Sequence, residues 1–422
     1  MVEKMDNVIC KNYKSMNGEI KIVIVNKNCP YSSKNTKVSK IHLMGRIVDK
    51  IISLGVAIFR KVLKYFYINT QEMKHNILIF KQDRLGDLAI TIPLLSILKE
   101  KLPNYNVVLI TSPSNYELAK KIPYVDEIIP LSNRNLCIDY KEMAKITKRI
   151  GSLYKFMKYD LKEYIKVLKC YSNSKYGIDL VGRRRNALIM KILKIKKICG
   201  FELSPFSFLY DFKIQYIEDE NIILQFLKFL EALNIHNYNL NTNLALNGFK
   251  YLRKTGEIDK KIVGVHLGFG GEKCRDWGLD NFLALINMLI DNNYYVKVYY
   301  SIYEKKEFNR IYNKLKHKSN IKYIFCRNLD IFLQELEDID IYMGIDGGPS
   351  HIVDILGIPN IILFSRENPF KWGPFMSKST IIKGIIENCE IRECGENICI
   401  KTITPKLVFN EIKNIVGEKD EQ

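Results

Sequence analysis

The sequence predicts an α/β protein built from two successive domains, each a parallel sheet covered by helices. Three observations carry that prediction. From residue 76 onward, short apolar runs alternate with helical patterns, the order that yields parallel strands with helices on both faces. The pattern lapses around residues 240–258 and then restarts. A chain of 422 residues also exceeds what one hydrophobic core ordinarily organises.

The elements follow in order. In the first forty residues only 20–25 reads as a strand. Residues 44–66 place Met44, Ile47, Val48, Ile51, Ile52, Ile58, Phe59, Val62, Leu63 and Phe66 on a repeat of three and four. Arg46, Lys50, Arg60, Lys61 and Lys64 fall mostly off that stripe. This is a basic amphipathic helix, one that either packs its stripe on the body or rests in a lipid headgroup layer. NILIF (76–80) is the first buried strand, KQDRLGD its loop, and LAITIPLLSILKEKL a single helix. VVLIT and VDEIIPL are the next strands, followed by a Lys-rich helical region over 137–169. YGIDLVG and KKICGFE mark further strands around the helix RRRNALIMKIL. Past the linker, KIVGVHLG, YVKVYYS, IKYIF, DIYMGID and NIILF are read as strands with helices between them, NIILF being the last, and TPKLVFNEIKNIV closes the chain as a helix.

Composition narrows the function classes. Lys and Arg number 65 against 46 Asp and Glu, a formal charge of +19. That surplus fits an anionic partner (nucleic acid, a phospholipid surface or a phosphorylated substrate) or simply basic solvated faces. A nucleic-acid partner is disfavoured, because no reader motif or cluster of stacking aromatics accompanies the charge. The ten cysteines are dispersed and no apolar segment follows the first charged residues, so free thiols in a reducing, cytoplasmic compartment are expected. Cys389, Cys394 and Cys399 lack the close pairing of a zinc site. No run of eighteen apolar residues is present to cross a bilayer. HExxH, GxSxG and the Walker A pattern are absent, which removes zinc hydrolysis, serine hydrolysis and P-loop chemistry. Asp338 and Asp340 resemble an Asp-x-Asp metal pair but fall at a helix-to-strand junction, and no metal site is assigned.

Three loops can carry chemistry. DRLGD follows the first strand, so Asp87 stands where ligands gather in an open α/β sheet. It is there either a general base or, like Asp83, a helix cap. In GVHLGFGGEKCRDW, Gly270 and Gly271 allow close backbone approach, while Lys273 and Arg275 supply charge for phosphate oxygens. In DGGPSH, Asp346 ends a strand, and Gly347, Gly348 and Pro349 turn into a helix. Its first N–H groups, with Ser350 and His351, form a cradle for a diphosphate. The bland alternative is an ordinary turn with Asp346 as cap and His351 as a core residue.

These segments, from ILIFKQDRLGDLAITIPLL through YGIDLVGRRRNALIMKILKIKKICGFE, GVHLGFGGEKCRDWGLDNF and YMGIDGGPSHIVDILGIPNIILFSRENPFKWGPF to CIKTITPKLV, resemble glycosyltransferase family nine, the lipopolysaccharide heptosyltransferases, over roughly residues 76–416. The resemblance implies the GT-B architecture: two Rossmann-like domains facing across a cleft, acceptor on 76–245 and nucleotide-sugar on 246–400. Residues 1–75 form an extension and 401–422 a C-terminal helix and tail. It implies metal-independent inversion with no cofactor beyond the nucleotide-sugar co-substrate, ADP-heptose foremost. It further implies an anionic lipopolysaccharide-core or related glycolipid acceptor at the inner face of the cytoplasmic membrane. The family's proposed base falls on Asp87, its basic residue before the donor-loop Trp on Arg275 (usually Lys), and its Asp-x-Gly-x-x-His element on Asp346, Gly348 and His351. Its nucleoside-binding Glu falls on Glu304, where YYSIYE departs from the usual glycines. Arg183, Arg184 and Arg185 are assigned to the acceptor and membrane side. The alternative function is a non-catalytic nucleotide-sugar or carbohydrate-binding protein on the same scaffold.

Overall fold

Strands of a parallel sheet are covered on both faces, so they must be apolar along their whole length. The computed structural model describes residues 8–15, 18–28, 73–131, 161–241, 244–251, 260–268, 272–315, 319–387 and 398–417. They fall into two units, one drawn from 36–218 and 223–239, the other from 1–35, 219–222 and 240–422. The basic helical segment 44–66, most of 137–169, and Gly270 and Gly271 lie outside the described residues.

The chain opens with β1 (Val8–Ser15) and β2 (Gly18–Asn28), an antiparallel hairpin. The unit that follows holds β3 (Lys74–Lys81), β4 (Asn106–Thr111), β5 (Glu127–Pro130), β6 (Ser174–Asp179), β7 (Lys197–Phe201) and β8 (Phe212–Ile214). They make a parallel sheet in the order β5-β4-β3-β6-β7-β8. Counted from β3, this is the doubly wound order 3-2-1-4-5-6, whose ligand crevice lies off the carboxyl ends of the two strands where the order reverses. Those strands are β3 and β6. Leu78, Phe80, Val108, Ile110, Ile189 and Ile198 form the core beneath them.

The helix expected as one piece after β3 is two, Leu85–Ala89 and Ile92–Lys101. Pro93 is the reason. It lacks the N–H that would bond back to Ala89 and its ring crowds that carbonyl, so a helix restarts at Ile92 with Pro93 in its first turn.

After β6, the carboxylate of Asp179, wholly buried, organises the next turn. It accepts the N–H groups of Val181 (3.0 Å), Gly182 (3.0 Å) and Arg183 (3.1 Å), the Asn186 amide (2.9 Å) and the Tyr210 hydroxyl (2.7 Å). Gly200 on β7 makes room for Tyr210, since a Cβ there would collide with the tyrosine ring. The start of the Arg184–Ile192 helix is thereby fixed beside β3.

The other unit repeats the plan. β9 (Ile262–His266), β10 (Tyr295–Tyr300), β11 (Ile321–Phe325), β12 (Ile341–Ile345), β13 (Asn360–Phe364) and β14 (Ser379–Glu387) run β11-β10-β9-β12-β13-β14, again 3-2-1-4-5-6, with the reversal between β9 and β12. Val263, Val265, Trp277, Leu285, Val296, Met343, Ile361 and Ile412 pack its core. Two features depart from the sequence reading. β13, NIILF, is not the last strand: Ser379–Glu387 adds β14, where Gly384 lets the backbone pass against the Cys399 carbonyl. Beyond it, β2 pairs parallel with β14, so the opening hairpin completes the second sheet. Lys21 on β2 also meets Glu411 of the closing helix Pro405–Gly417 at 2.7 Å. Two aspartates flagged as a coincidental metal pair have structural tasks: Asp338 pairs with Lys297 (2.6 Å) and Asp340 accepts the Ile262 N–H (2.8 Å).

Replacing Asp179 by Ala strands several buried donors, each costing about 1–3 kcal/mol. The variant should lose roughly 3 kcal/mol or more, read as a lower urea midpoint. A midpoint equal to the parent's would show that the carboxylate organises nothing.

Candidate functional site

At the first reversal, β3 ends in Lys81, and two carboxylates follow, Asp83 in the loop and Asp87 in the first turn of the Leu85–Ala89 helix. Asp87 Oδ2 accepts the Arg84 N–H at 3.2 Å, so Asp87 does cap its helix. A carboxylate has two oxygens, however, and among the described residues Oδ1 of this half-buried side chain has no partner. Asp83 is not the cap. Its Oδ2 meets Lys81 Nζ at 2.8 Å while its buried Oδ1 makes no hydrogen bond. Burial raises the Asp83 pKa, Lys81 pulls it back, and the charge of Asp87 pushes it up again. The loop itself is held from β4's side: Asn115 Nδ2 and Ser112 Oγ donate to the Asp83 carbonyl at 3.0 and 3.3 Å.

Beside it, off β6, stand the three arginines. Arg183 and Arg184 are half-buried. Arg185 is only 5% exposed, with its guanidinium 5.5 Å over the Tyr164 ring. The Tyr164 hydroxyl in turn accepts from Gln82 Nε2 at 3.1 Å. Arg185 thus braces the β3 loop and is not a surface charge for a membrane, which corrects part of the sequence assignment for 183–185.

At the second reversal, β12 delivers Asp346 and the 347–351 turn. Gly347 precedes the Gly348–Ile355 helix, with Pro349 in the first turn. The opening N–H groups of such a helix have no intrahelical acceptor and carry the positive end of its dipole. Arg275, in the short Lys273–Arg275 turn after β9, lies against them: Nη1 donates to the Asp346 carbonyl at 2.8 Å and Nη2 is 3.6 Å from Asp346 Oδ2. Two residues on, Trp277 is fully buried and its indole donates to the Ile403 carbonyl at 2.8 Å, fixing the turn to the C-terminal segment. His351 Nε2 is 3.8 Å from Asp346 Oδ1. Burial raises the Asp346 pKa to about 6, with Arg275 opposing and Glu367 and Glu272 adding to the rise.

Not every nominated residue offers its side chain to this turn. The Ser350 hydroxyl, buried, donates to the Ile345 carbonyl at 2.7 Å, so its proton is already committed. Lys273 is exposed. Glu304 is buried off the end of β10, where Oε2 accepts the Ser301 N–H at 3.0 Å and the Ser301 hydroxyl at 2.5 Å. That is the edge at which a Rossmann sheet places an acidic residue toward a ribose. Ile302 and Tyr303 beside it are 60% and 84% exposed. Behind it, burial lowers the His266 pKa to about 4 despite the pull of Glu304, and His266 Nδ1 accepts the Gly268 N–H at 3.2 Å.

Four charged residues around the turn were not singled out from sequence. Glu272 approaches Arg275 Nε to 3.4 Å, Glu367 approaches its Nη2 to 3.7 Å, and Arg366 touches both glutamates. Lys383 on β14 donates to the Glu367 carbonyl at 2.6 Å. Glu272 adjoins a glycine-rich loop and Arg366 and Glu367 directly follow a strand, which was the available signal.

Solved structures share this arrangement of sheets. The chain is similar to a family 9 glycosyl transferase from Veillonella parvula (TM-score 0.62, 14% identity, covering 83% of this chain and all of that one). It is similar too to the ADP-heptose lipopolysaccharide heptosyltransferase II of E. coli (0.58, 16%, 82% and 100%) and to E. coli heptosyltransferase WaaC with ADP (0.59, 16%, 81% and 99%). No curated protein sequence matches. The model of glycosyltransferase family 9 (heptosyltransferase) matches residues 168–399, a stretch that takes in Arg183–185, Arg275 and the whole 346–351 turn but begins after the Asp87 loop. Because that match extends over more than half of the sequence and the sheets follow the GT-B plan of its structural neighbours, the chain belongs to glycosyltransferase family 9 and is a glycosyltransferase.

Proposed function

We propose that the protein transfers a heptose or related sugar from a nucleotide-sugar, ADP-heptose foremost, to a lipopolysaccharide-core or related glycolipid acceptor. Transfer inverts the anomeric carbon by direct displacement without a divalent metal. The observation that carries the donor half is the half-buried Arg275 guanidinium set against the start of the Gly348–Ile355 helix. A departing nucleoside diphosphate gains negative charge, and a guanidinium beside a helix N-terminus stabilises it with groups already in place. Relatives of the same fold are described with ADP and with ADP-2-deoxy-2-fluoro heptose, which supports an adenine nucleotide here.

The acceptor half rests on Asp87. Capping through Oδ2 orients the carboxylate and leaves Oδ1 to take the proton of an attacking hydroxyl. General-base catalysis of this kind contributes on the order of 10²–10⁴-fold. Asp87→Asn should therefore lower the transfer rate by about that factor while donor affinity, measured by calorimetry, stays near the parent's. Transfer at the parental rate would remove Asp87 from the mechanism.

Asp346 gives the donor half a pH signature. With its pKa near 6, the carboxylate is neutral below that value and charged above it. A nucleotide-sugar diphosphate does not titrate there. ADP-heptose should bind more tightly as pH falls from 7.5 to 5.5, and Asp346→Asn should abolish the step, which separates it from any change at His351. An affinity that is flat over this window in the parent would refute the assignment.

The glycolipid acceptor implies a membrane surface, and the described residues contain no helix long and apolar enough to cross one. Contact then falls to the basic 44–66 segment. Deleting residues 1–70 is a poor test, because it also removes β2 from its sheet. Replacing Arg46, Lys50, Arg60, Lys61 and Lys64 by Gln retains β2 in the chain and should weaken co-sedimentation with anionic vesicles. Undiminished binding would exclude the segment.

A further inference from the structure

Arg275 has a neighbour of the same kind. Arg366 stands two residues beyond the end of β13, and two glutamates join it to Arg275. Glu272 Oε2 lies 2.9 Å from Arg366 Nη2 and 3.4 Å from Arg275 Nε. Glu367 Oε1 lies 3.2 Å from Arg366 Nε and 3.7 Å from Arg275 Nη2. A single oxygen of each glutamate is therefore shared between both guanidinium groups. Arg366 donates hydrogen bonds to both glutamates, yet Arg275 Nε, buried, makes none among the described residues, so the glutamates stand beside Arg275 without satisfying its Nε donor. Carboxylate and phosphate oxygens are interchangeable partners for a guanidinium fork.

We propose that Arg366 is a second diphosphate ligand of the donor site, and that Glu272 and Glu367 stand in for phosphate oxygens until a nucleoside diphosphate displaces them. The inference rests on the donor reading above and extends it from one guanidinium to two. A diphosphate offers two anionic groups in sequence, and one planar fork grips only one of them bidentately. Arg366 supplies the other fork, and the glutamates hold the two forks together at the cost of competing with the ligand.

Calorimetric titration of the full chain with ADP, UDP, GDP and inorganic pyrophosphate tests this. Arg366→Gln should weaken the bound diphosphate about tenfold to a hundredfold, the effect of losing a charged hydrogen-bonded pair. Arg366→Lys should recover part of the loss, having the charge without the fork. Glu272→Gln should bind more tightly than the parent, a gain that misfolding does not produce. Diphosphate affinity unchanged in Arg366→Gln, or weakened in Glu272→Gln, overturns the inference while leaving the donor reading intact. A parent that binds none of the four probes brings down both.

Discussion

A largely covered guanidinium at the mouth of a helix is the constraint around which the turn at the second sheet's reversal is arranged. Arg275 is a permanent charge with 14% of its side chain exposed, and burying such a charge is tolerable only among anions and well-aimed acceptors. The protein supplies three carboxylates and a backbone carbonyl from chain segments up to 95 residues apart in number: Glu272, Asp346 and Glu367. Each comes off the carboxyl edge of one sheet, and that edge exists only because β9, β12 and β13 lie side by side. Burial at the same place lifts the Asp346 pKa, Glu367 and Glu272 add to the rise, and Arg275 opposes it.

Aspartates divide into two kinds here, and burial with donors is what separates them. Asp179 and Asp354 are sealed in and saturated: Asp354 accepts from the N–H groups of Phe375, Met376 and Ser377 and from the Ser377 hydroxyl. Such groups hold loops. Asp83 and Asp87 keep an oxygen without a partner among the described residues and sit where the strand order reverses. The buried Asp83 oxygen carries the desolvation cost of an unpartnered polar atom, whereas the saturated aspartates do not. In Asp87 the cap uses one oxygen only, so capping does not occupy the whole carboxylate.

Much of the framework was legible in the residues. Apolar runs such as NILIF, VVLIT, IKYIF and NIILF announce strands because a doubly covered sheet admits little else, and the glycine turns at their ends mark ligand edges. Ser379–Glu387 carries four isoleucines but interrupts them with Lys383 and Gly384, and the purpose of Gly384, clearance for the Cys399 carbonyl, is visible only once both segments are placed. Pro93 is a local signal of the boundary between the Leu85–Ala89 and Ile92–Lys101 helices.

By itself, then, the sequence determined the two repeated α/β blocks, their strands and the loops that bear Asp87, Arg275 and Asp346, because periodicity and turn chemistry are local properties. The tertiary structure alone decided the rest. It sent the β1–β2 hairpin to the edge of a sheet whose other strands begin more than two hundred residues later. It buried Arg185 against Tyr164, turned the Ser350 hydroxyl inward and brought Arg366 to Arg275 through two shared glutamates. Those outcomes depend on which distant side chains compete for the same space and the same donors, and no local pattern encodes that competition.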